Sequence, residues 1–476
     1  MNIVLIYPDF GRFRIAENIE ISIGPFIPPL GLLYLATMLK LQNHQVSIID
    51  CTAEKKPKEA VRRTLPNIDA VGIEIFSGSR ALKFSREIAD VVHDYDPQLP
   101  IFLGGPHFAL YPKQSLINHY AKVGMIGEGE FRINPLIDAI QGKGTLGSIR
   151  GIVYKKGRGY CQTEPSKQIM DLDQIPIPDR NLVKQYEYGY SSGVKLIPGK
   201  VTSIMSSRGC PHRCRFCQQA FFLPNFCMHS SARVNAEIDD IVSKGYTSIA
   251  FVDDDFLANK KWSEEIMDHI INEGYQLKIW IVNARVDSAD RGLYEKMRKA
   301  GVENIIFGVE SGDQQILDYY NKKITLDQAC KAITLSHEMG FFTTANFILG
   351  APIETKKNIH NTIAFACSLP ADNVVFRELG YMAQSPLWKE AVDQGKLRPD
   401  EDFVSGGKER GLGDLTSKEL QQYCEKAYYA FLLNPRYFIR EARFALVNKN
   451  PRYLKLGLKM IATMVTPRAN PVMIEE

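Results

Sequence analysis

Three cysteines, Cys210, Cys214 and Cys217, stand in the run Cys-Pro-His-Arg-Cys-Arg-Phe-Cys, directly after an apolar strand at Val201–Met205 and the turn Ser206-Ser207-Arg208-Gly209. Three thiolates in one short loop can hold three corners of a cubane iron–sulfur cluster and leave the fourth iron without a protein ligand. Such an iron is open to chemistry. A structural zinc is the competing reading, and it needs a fourth donor from Cys227, His212 or His229. Cys51, Cys161, Cys330, Cys367 and Cys424 are scattered on apolar faces and read as core filler.

Further polar residues stand where strands end. Asp253, Asp254 and Asp255 follow one strand, Arg285 and Asp287 another, and Glu310 a third. Each could also be an ordinary helix cap. Nearer the N-terminus, four loops rich in Gly and Pro follow apolar strands and helices: Pro28–Leu35, Phe76–Ser79, Gly104–His107 and Gly127–Glu130. Glycines there let the backbone approach a large flat ligand. No Walker A pattern occurs, which disfavours nucleoside triphosphates.

These residues need a scaffold, and the 476-residue chain supplies the composition of a packed globular protein, 45% hydrophobic and 24% charged. Strands at 3–7, 45–49, 70–75 and 100–103 alternate with helices near 30–42 and 80–94, which predicts a doubly wound parallel sheet over residues 1–140. Ligands bind at the carboxyl edge of such sheets. Residues 141–200 read as a linker with a hairpin around Lys155–Gly159. Over 201–390, six βα units predict a partial TIM-type barrel, with strands near 201, 248, 278, 303, 343 and 373. The motif residues fall at their C-terminal ends.

The segment 391–476 reads as helical and basic. Asn434-Pro435-Arg436-Tyr437 recurs as Asn450-Pro451-Arg452-Tyr453, each with Asn at an N-cap and Pro at N1. Between 430 and 470 stand eight Lys or Arg against one acid, Glu441, so this segment carries +7 and the remainder of the chain −3. Arg436, Arg440 and Arg443 form one basic face and Arg452, Lys455 and Lys459 another. Phe438, Phe444 and Leu446, then Leu454 and Leu458, lie opposite. The two readings are a helix pair capping the barrel with a solvated charged edge, or a contact with anionic membrane headgroups.

The cysteine loop resembles the signature of the radical S-adenosylmethionine (SAM) superfamily. The resemblance implies a [4Fe–4S] cluster on Cys210, Cys214 and Cys217, with Phe216 as the aromatic before the third cysteine. SAM bound at the open iron would be cleaved to a 5′-deoxyadenosyl radical. Asp254, Asp255, Arg285 and Glu310 would contact SAM. The N-terminal loops are similar to the cobalamin-binding domain of one branch of these enzymes, methylases and the anaerobic oxidative cyclase among them. This similarity implies cobalamin contacts from Pro29, Gly31, Ser77, Gly104, Gly105, His107, Gly127, Glu128 and Gly129. The D-x-H-x-x-G motif of mutase-type cobalamin domains does not occur.

The expected function is methylation of an unactivated carbon in a small-molecule or lipid substrate. Cyclisation or oxidation without methyl transfer, and a non-catalytic metal-stabilised binding module, are the alternatives. An electron donor such as flavodoxin or ferredoxin is implied, and no nucleic-acid partner is expected. Without a signal-like N-terminus or an apolar run of membrane-spanning length, the expected location is cytoplasmic, with peripheral contact at the inner membrane face as the variant.

Overall fold

The computed structural model describes residues 1–9, 12–16, 19–22, 24–76, 79–191, 193–401, 403–447 and 458. The first sheet has seven strands: β1 (Asn2–Tyr7), β2 (Gln45–Asp50), β3 (Ala70–Glu74), β4 (Ile101–Gly104), β5 (Val123–Met125), β6 (Ile152–Lys156) and β7 (Gly159–Gln162). Their spatial order is β2-β1-β3-β4-β5-β6-β7. β1 to β5 pair in parallel, and both of their faces are covered, as parallel sheets require. Helices α1 (Leu30–Leu41) and α6 (Ile133–Ile140) cover one face. The other is covered by α2 (Pro57–Thr64), α3 (Ser79–Tyr95), α4 (Pro106–Leu110) and α5 (Pro112–Asn118).

The hairpin expected in the linker is β6–β7, and it pairs antiparallel onto β5. The first sheet therefore continues past residue 140. The rest of the linker has no regular element longer than the one-turn helices Leu172–Gln174 and Arg180–Val183, as its alternating prolines require. It is tied down by Arg180, which is fully buried and donates to Glu237, Thr202 and the Ser203 carbonyl.

The second sheet has six parallel strands in chain order: β8 (Val201–Ile204), β9 (Ser248–Phe251), β10 (Lys278–Arg285), β11 (Val302–Glu310), β12 (Phe342–Leu349) and β13 (Asn373–Glu378). Each connection carries a helix: α7 (Ser231–Ser243), α8 (Lys260–Asn272), α9 (Arg291–Lys299), the short α10 (Gln314–Tyr319) with α11 (Leu326–Glu338), and α12 (Lys356–Ser368). The sheet ends at β8 and β13, so the barrel is open, as six units predict. Its outer side chains, Ile249, Ile279 and Ile305 among them, pack under these helices. Ala250, Trp280 and Phe342 on the opposite side join the core of α1 and the linker.

The C-terminal segment holds α13 (Pro386–Asp393), α14 (Ser417–Leu432) and α15 (Pro435–Val447), plus a short antiparallel ribbon of Gly380–Met382 with Phe403–Ser405. It is not purely helical. The expected amphipathicity of α15 is reversed in two places. Arg440 leaves the basic face to lie beside Asp372 and Glu441 and over the rings of Phe431 and Tyr437. Leu446, expected on the packed side, is 79% exposed. Glu441, next to Arg440 in the chain, is itself buried. The repeat at Asn450–Tyr453 and its basic face lie outside the described residues.

Candidate functional site

The cysteine loop is held at its neck. Ser207–Arg208 pairs antiparallel with Cys227–Met228, so the chain leaves and returns at one point. Below the neck, the Ser206 and Ser207 hydroxyls donate to Asp253 Oδ1 at 2.8 and 2.6 Å. Its far side is fastened to the turn after α10: Arg215 N donates to the Tyr320 carbonyl, Asn321 Nδ2 to the Arg213 carbonyl, and Phe216 meets Tyr320 edge-on with centroids 5.1 Å apart. Phe216 thus braces the loop.

Cys210, Cys214 and Cys217 are free, half-buried thiols. Burial raises all three, Cys217 to about 11, while the Lys322 and Arg285 cations pull Cys214 back down. Gln219 N donates to Cys217 Sγ at 3.4 Å. Among the described residues, no three His, Cys, Asp or Glu side chains converge on a single-ion site. Thiolates at the corners of a cubane stand further apart than ligands of one ion. Two of the three donors considered for zinc are otherwise engaged. Cys227 Sγ contacts the Ile169 and Arg208 carbonyls, and His229 bonds Asp173.

The barrel mouth gathers the other polar residues around this loop. Asp254 accepts from Gln219 Nε2 at 2.7 Å, and Asp255 faces His212 at 3.7 Å. Burial pushes Asp253, Asp254 and Asp255 up to about 6. Arg285 grips Asp287 through two nitrogens, at 3.0 and 2.8 Å, and donates to the Lys322 carbonyl. Glu310 has φ +73°, a left-handed conformation uncommon for a side chain of its size, and pairs with buried Lys322 at 2.8 Å. A bulge between Gly308 and Glu310 produces this bend. The Glu310 carboxylate folds back over Gly308, where a β-carbon would collide with it and stand 2.9 Å from Lys322 Nζ. Strain of this kind clusters at functional sites.

The carboxyl edge of the first sheet faces the same loop across a cavity of about 350 Å³. Gly31, Gly104, Gly105, Gly127 and Gly129 line it from one side, and Met205, Gln219, Phe222 and Leu223 from the other. At Gly31 and Gly104 a β-carbon would meet no protein atom within 4 Å, so bare backbone borders open space. Gly105, at φ +96°, brings the chain against Ile75. The walls are joined by Arg208, which donates to Glu128 at 2.5 Å and Glu130 at 2.6 Å and lies over the Tyr34 ring.

The residues expected from the sequence divide accordingly. The cysteines, Asp254, Asp255, Arg285 and Glu310 gather at the barrel mouth, and the five glycines with Glu128 line the cavity. Pro29 caps α1 instead, and His107 is buried in α4 against Tyr111, with its backbone N–H on the Ile75 carbonyl. Ser77 lies outside the described residues. Arg208, Glu130, Gln219 and Lys322 went unread as site residues. Arg208 and Gln219 flank the cysteine motif, and that adjacency was the available signal; for Lys322 there was none.

Comparison with known proteins agrees with this geometry. A B12 binding domain matches residues 19–133 and the radical SAM superfamily matches residues 204–366. An uncharacterized methyltransferase of Pyrococcus horikoshii is 28% identical over 93% of this chain and 94% of its own. The anaerobic magnesium-protoporphyrin IX monomethyl ester cyclase of Cereibacter sphaeroides is 28% identical over 83% of this chain and 64% of its own. The radical SAM methyltransferase TsrM of Kitasatospora setae, solved with cobalamin and a [4Fe–4S] cluster, has the same fold: TM-score 0.66 at 19% identity, over 83% of this chain and 78% of its own.

The chain therefore carries a radical SAM domain with a B12 binding domain ahead of it. It is an enzyme whose cofactors are a [4Fe–4S] cluster, SAM and cobalamin. The residues present fit them. Three free, half-buried thiols in one loop suit three irons, and a glycine-walled, mainly apolar cavity suits a broad macrocycle.

Proposed function

We propose that the protein methylates an unactivated carbon of a small-molecule or lipid substrate. The observation that carries this reading is the shared cavity: loops of the first domain and the segment after Cys217 line one space, so two reactive groups can address one substrate. When bound, the cluster and SAM supply a carbon-centred radical and cobalamin supplies a transferable methyl group.

The chain's own residues do the positioning. Cys210, Cys214 and Cys217 would hold the cluster through three of its irons, leaving the fourth for SAM. Asp254, Arg285 and Glu310 offer both charge signs to the amino and carboxylate ends of SAM, with Gln219 and Lys322 fixing Asp254 and Glu310. Arg208 fixes the separation of the two walls. Leu35, Met205 and Phe222 keep water from the radical.

Oxidation or cyclisation could use the same parts. End-to-end alignment with a methyltransferase, against partial alignment with the cyclase, supports methyl transfer. A flavodoxin or ferredoxin would deliver the electron.

The outward face of α15 supports a lipid-surface contact: Ile439 and Leu446 are 71% and 79% exposed, with Arg436 and Arg443 beside them. No helix among the described residues is long and apolar enough to cross a membrane.

The test is an anaerobic assay with methyl-labelled SAM against lipid and cell extract. Label in a product together with 5′-deoxyadenosine is expected. 5′-Deoxyadenosine without label transfer would move the assignment to oxidation or cyclisation, and neither would refute both.

A further inference from the structure

One carboxyl in the cavity wall has no partner among the described residues. Glu74, the last residue of β3, borders the cavity beside Ile73, Gly104 and Gly105. Its side chain lies along the Gly105 backbone, where an added β-carbon would stand 2.9 Å from Glu74 Cγ. Burial among apolar groups pushes its carboxyl up to about 8, and no neighbouring charge contributes. The groups around it explain why. Tyr7 of β1 carries no charge at neutral pH, and Asp50 at the end of β2 is bonded to Thr52 and Tyr188. His107 sits in α4 behind Ile75, Tyr34 lies across the cavity, and Glu128 and Glu130 are held by Arg208. Among the described side chains, no cation is offered to Glu74.

A corrin is fringed with primary carboxamides, each with N–H donors and a carbonyl acceptor. A neutral carboxylic acid matches such an amide at two points, with its O–H on the amide oxygen and its carbonyl on an amide N–H. A carboxylate has only acceptors and cannot. We propose that Glu74 is a cobalamin-binding residue that grips a corrin carboxamide as the neutral acid. The assignment rests on the cobalamin reading of the cavity. It gives cofactor loading a pH dependence, because ionising Glu74 removes the donor.

The experiment is equilibrium titration of the full chain with methylcobalamin in dim light between pH 6.5 and 9.5. Wild type is compared with Glu74→Gln, Glu74→Asp and Glu74→Ala, with circular dichroism as the check on folding. Gln keeps a donor and an acceptor in the same place. Expected at pH 7 are Glu74→Gln within about threefold of wild type and Glu74→Ala weaker by about tenfold or more. Wild type should weaken by about tenfold between pH 7 and 9 while Glu74→Gln stays flat. Glu74→Asp, drawn back by one methylene, carries the comparison should Glu74→Ala not fold, and should bind less tightly than Glu74→Gln. The proposal is overturned if the shortened variants bind like wild type, if Glu74→Gln follows the wild-type pH profile, or if wild type tightens as pH rises. Wild type that binds no methylcobalamin at any pH would refute the cofactor reading itself, and Glu74's role with it.

Discussion

Arg208 and Glu128 meet at 2.5 Å across the boundary between the two domains, and the same guanidinium reaches Glu130 at 2.6 Å. Arg208 stands two residues before Cys210, while Glu128 and Glu130 stand in the loop that walls the cavity. One side chain therefore sets the spacing between the cysteine loop and the first sheet. Burial alone would weaken the guanidinium's hold on its proton, but the two carboxylates override that and raise it further.

Arg208→Met keeps most of the volume and leaves two buried carboxylates facing each other. Breaking a buried ion pair in this way costs about 3–5 kcal/mol. Urea unfolding should show that loss, and cobalamin should bind more weakly. Stability and affinity equal to wild type would show that the domains are held by their apolar contact alone.

Gly308→Ala tests the bend at Glu310. The added methyl must displace the Glu310 carboxylate or Lys322, at a cost of about 1–3 kcal/mol for overpacking. SAM cleavage should fall at least tenfold while cobalamin binding is unchanged. Unaltered cleavage would remove Glu310 and Lys322 from the SAM site.

The C-terminal helix should loosen with rising pH. Burial raises Asp372 and Glu441 above the ordinary carboxylate range, and the Asp372 charge raises Glu441 further, while the hydrogen bond from Glu441 and the Arg440 cation only partly offset the rise at Asp372. The folded state then binds more protons than the unfolded one, so the helix is most firmly held below about pH 4, the unfolded carboxylate range, and loses stability as pH climbs through the raised values. Hydrogen exchange along α15 should accelerate between about pH 5 and 9, beyond the intrinsic rise, and Glu441→Gln should reduce the excess. An identical profile in the variant would contradict the buried pair.

The barrel was legible because period-3.6 helices separate short apolar strands, and all six strands and the five expected helices fall where that alternation predicts, with the short helix Gln314–Tyr319 added. The cysteines announced themselves by spacing. The three-residue strand Val123–Met125 was too short for periodicity, and the ribbon Ser207–Arg208 with Cys227–Met228 has no sequence mark. Long-range partners were hidden for a related reason. Arg208 and Glu130 are 78 positions apart, and neither forms a motif with its neighbours. The orientation of α15 was misread because a helical wheel shows Glu441 as one polar residue among several, whereas its carboxyl is buried beside Asp372 and Arg440.

Cys214→Ala separates the two halves of the chemistry. It should abolish SAM cleavage and leave cobalamin affinity within about twofold of wild type, since Cys214 does not line the cavity. Loss of both would show that the cysteine loop shapes the cobalamin site as well.

The most direct measurement is Mössbauer spectroscopy of anaerobically reconstituted, iron-57-labelled protein with and without SAM. The account predicts a cubane cluster in which one iron is distinct and changes its signal when SAM is added. Four equivalent irons indifferent to SAM, or a colourless protein holding a single zinc, would contradict it.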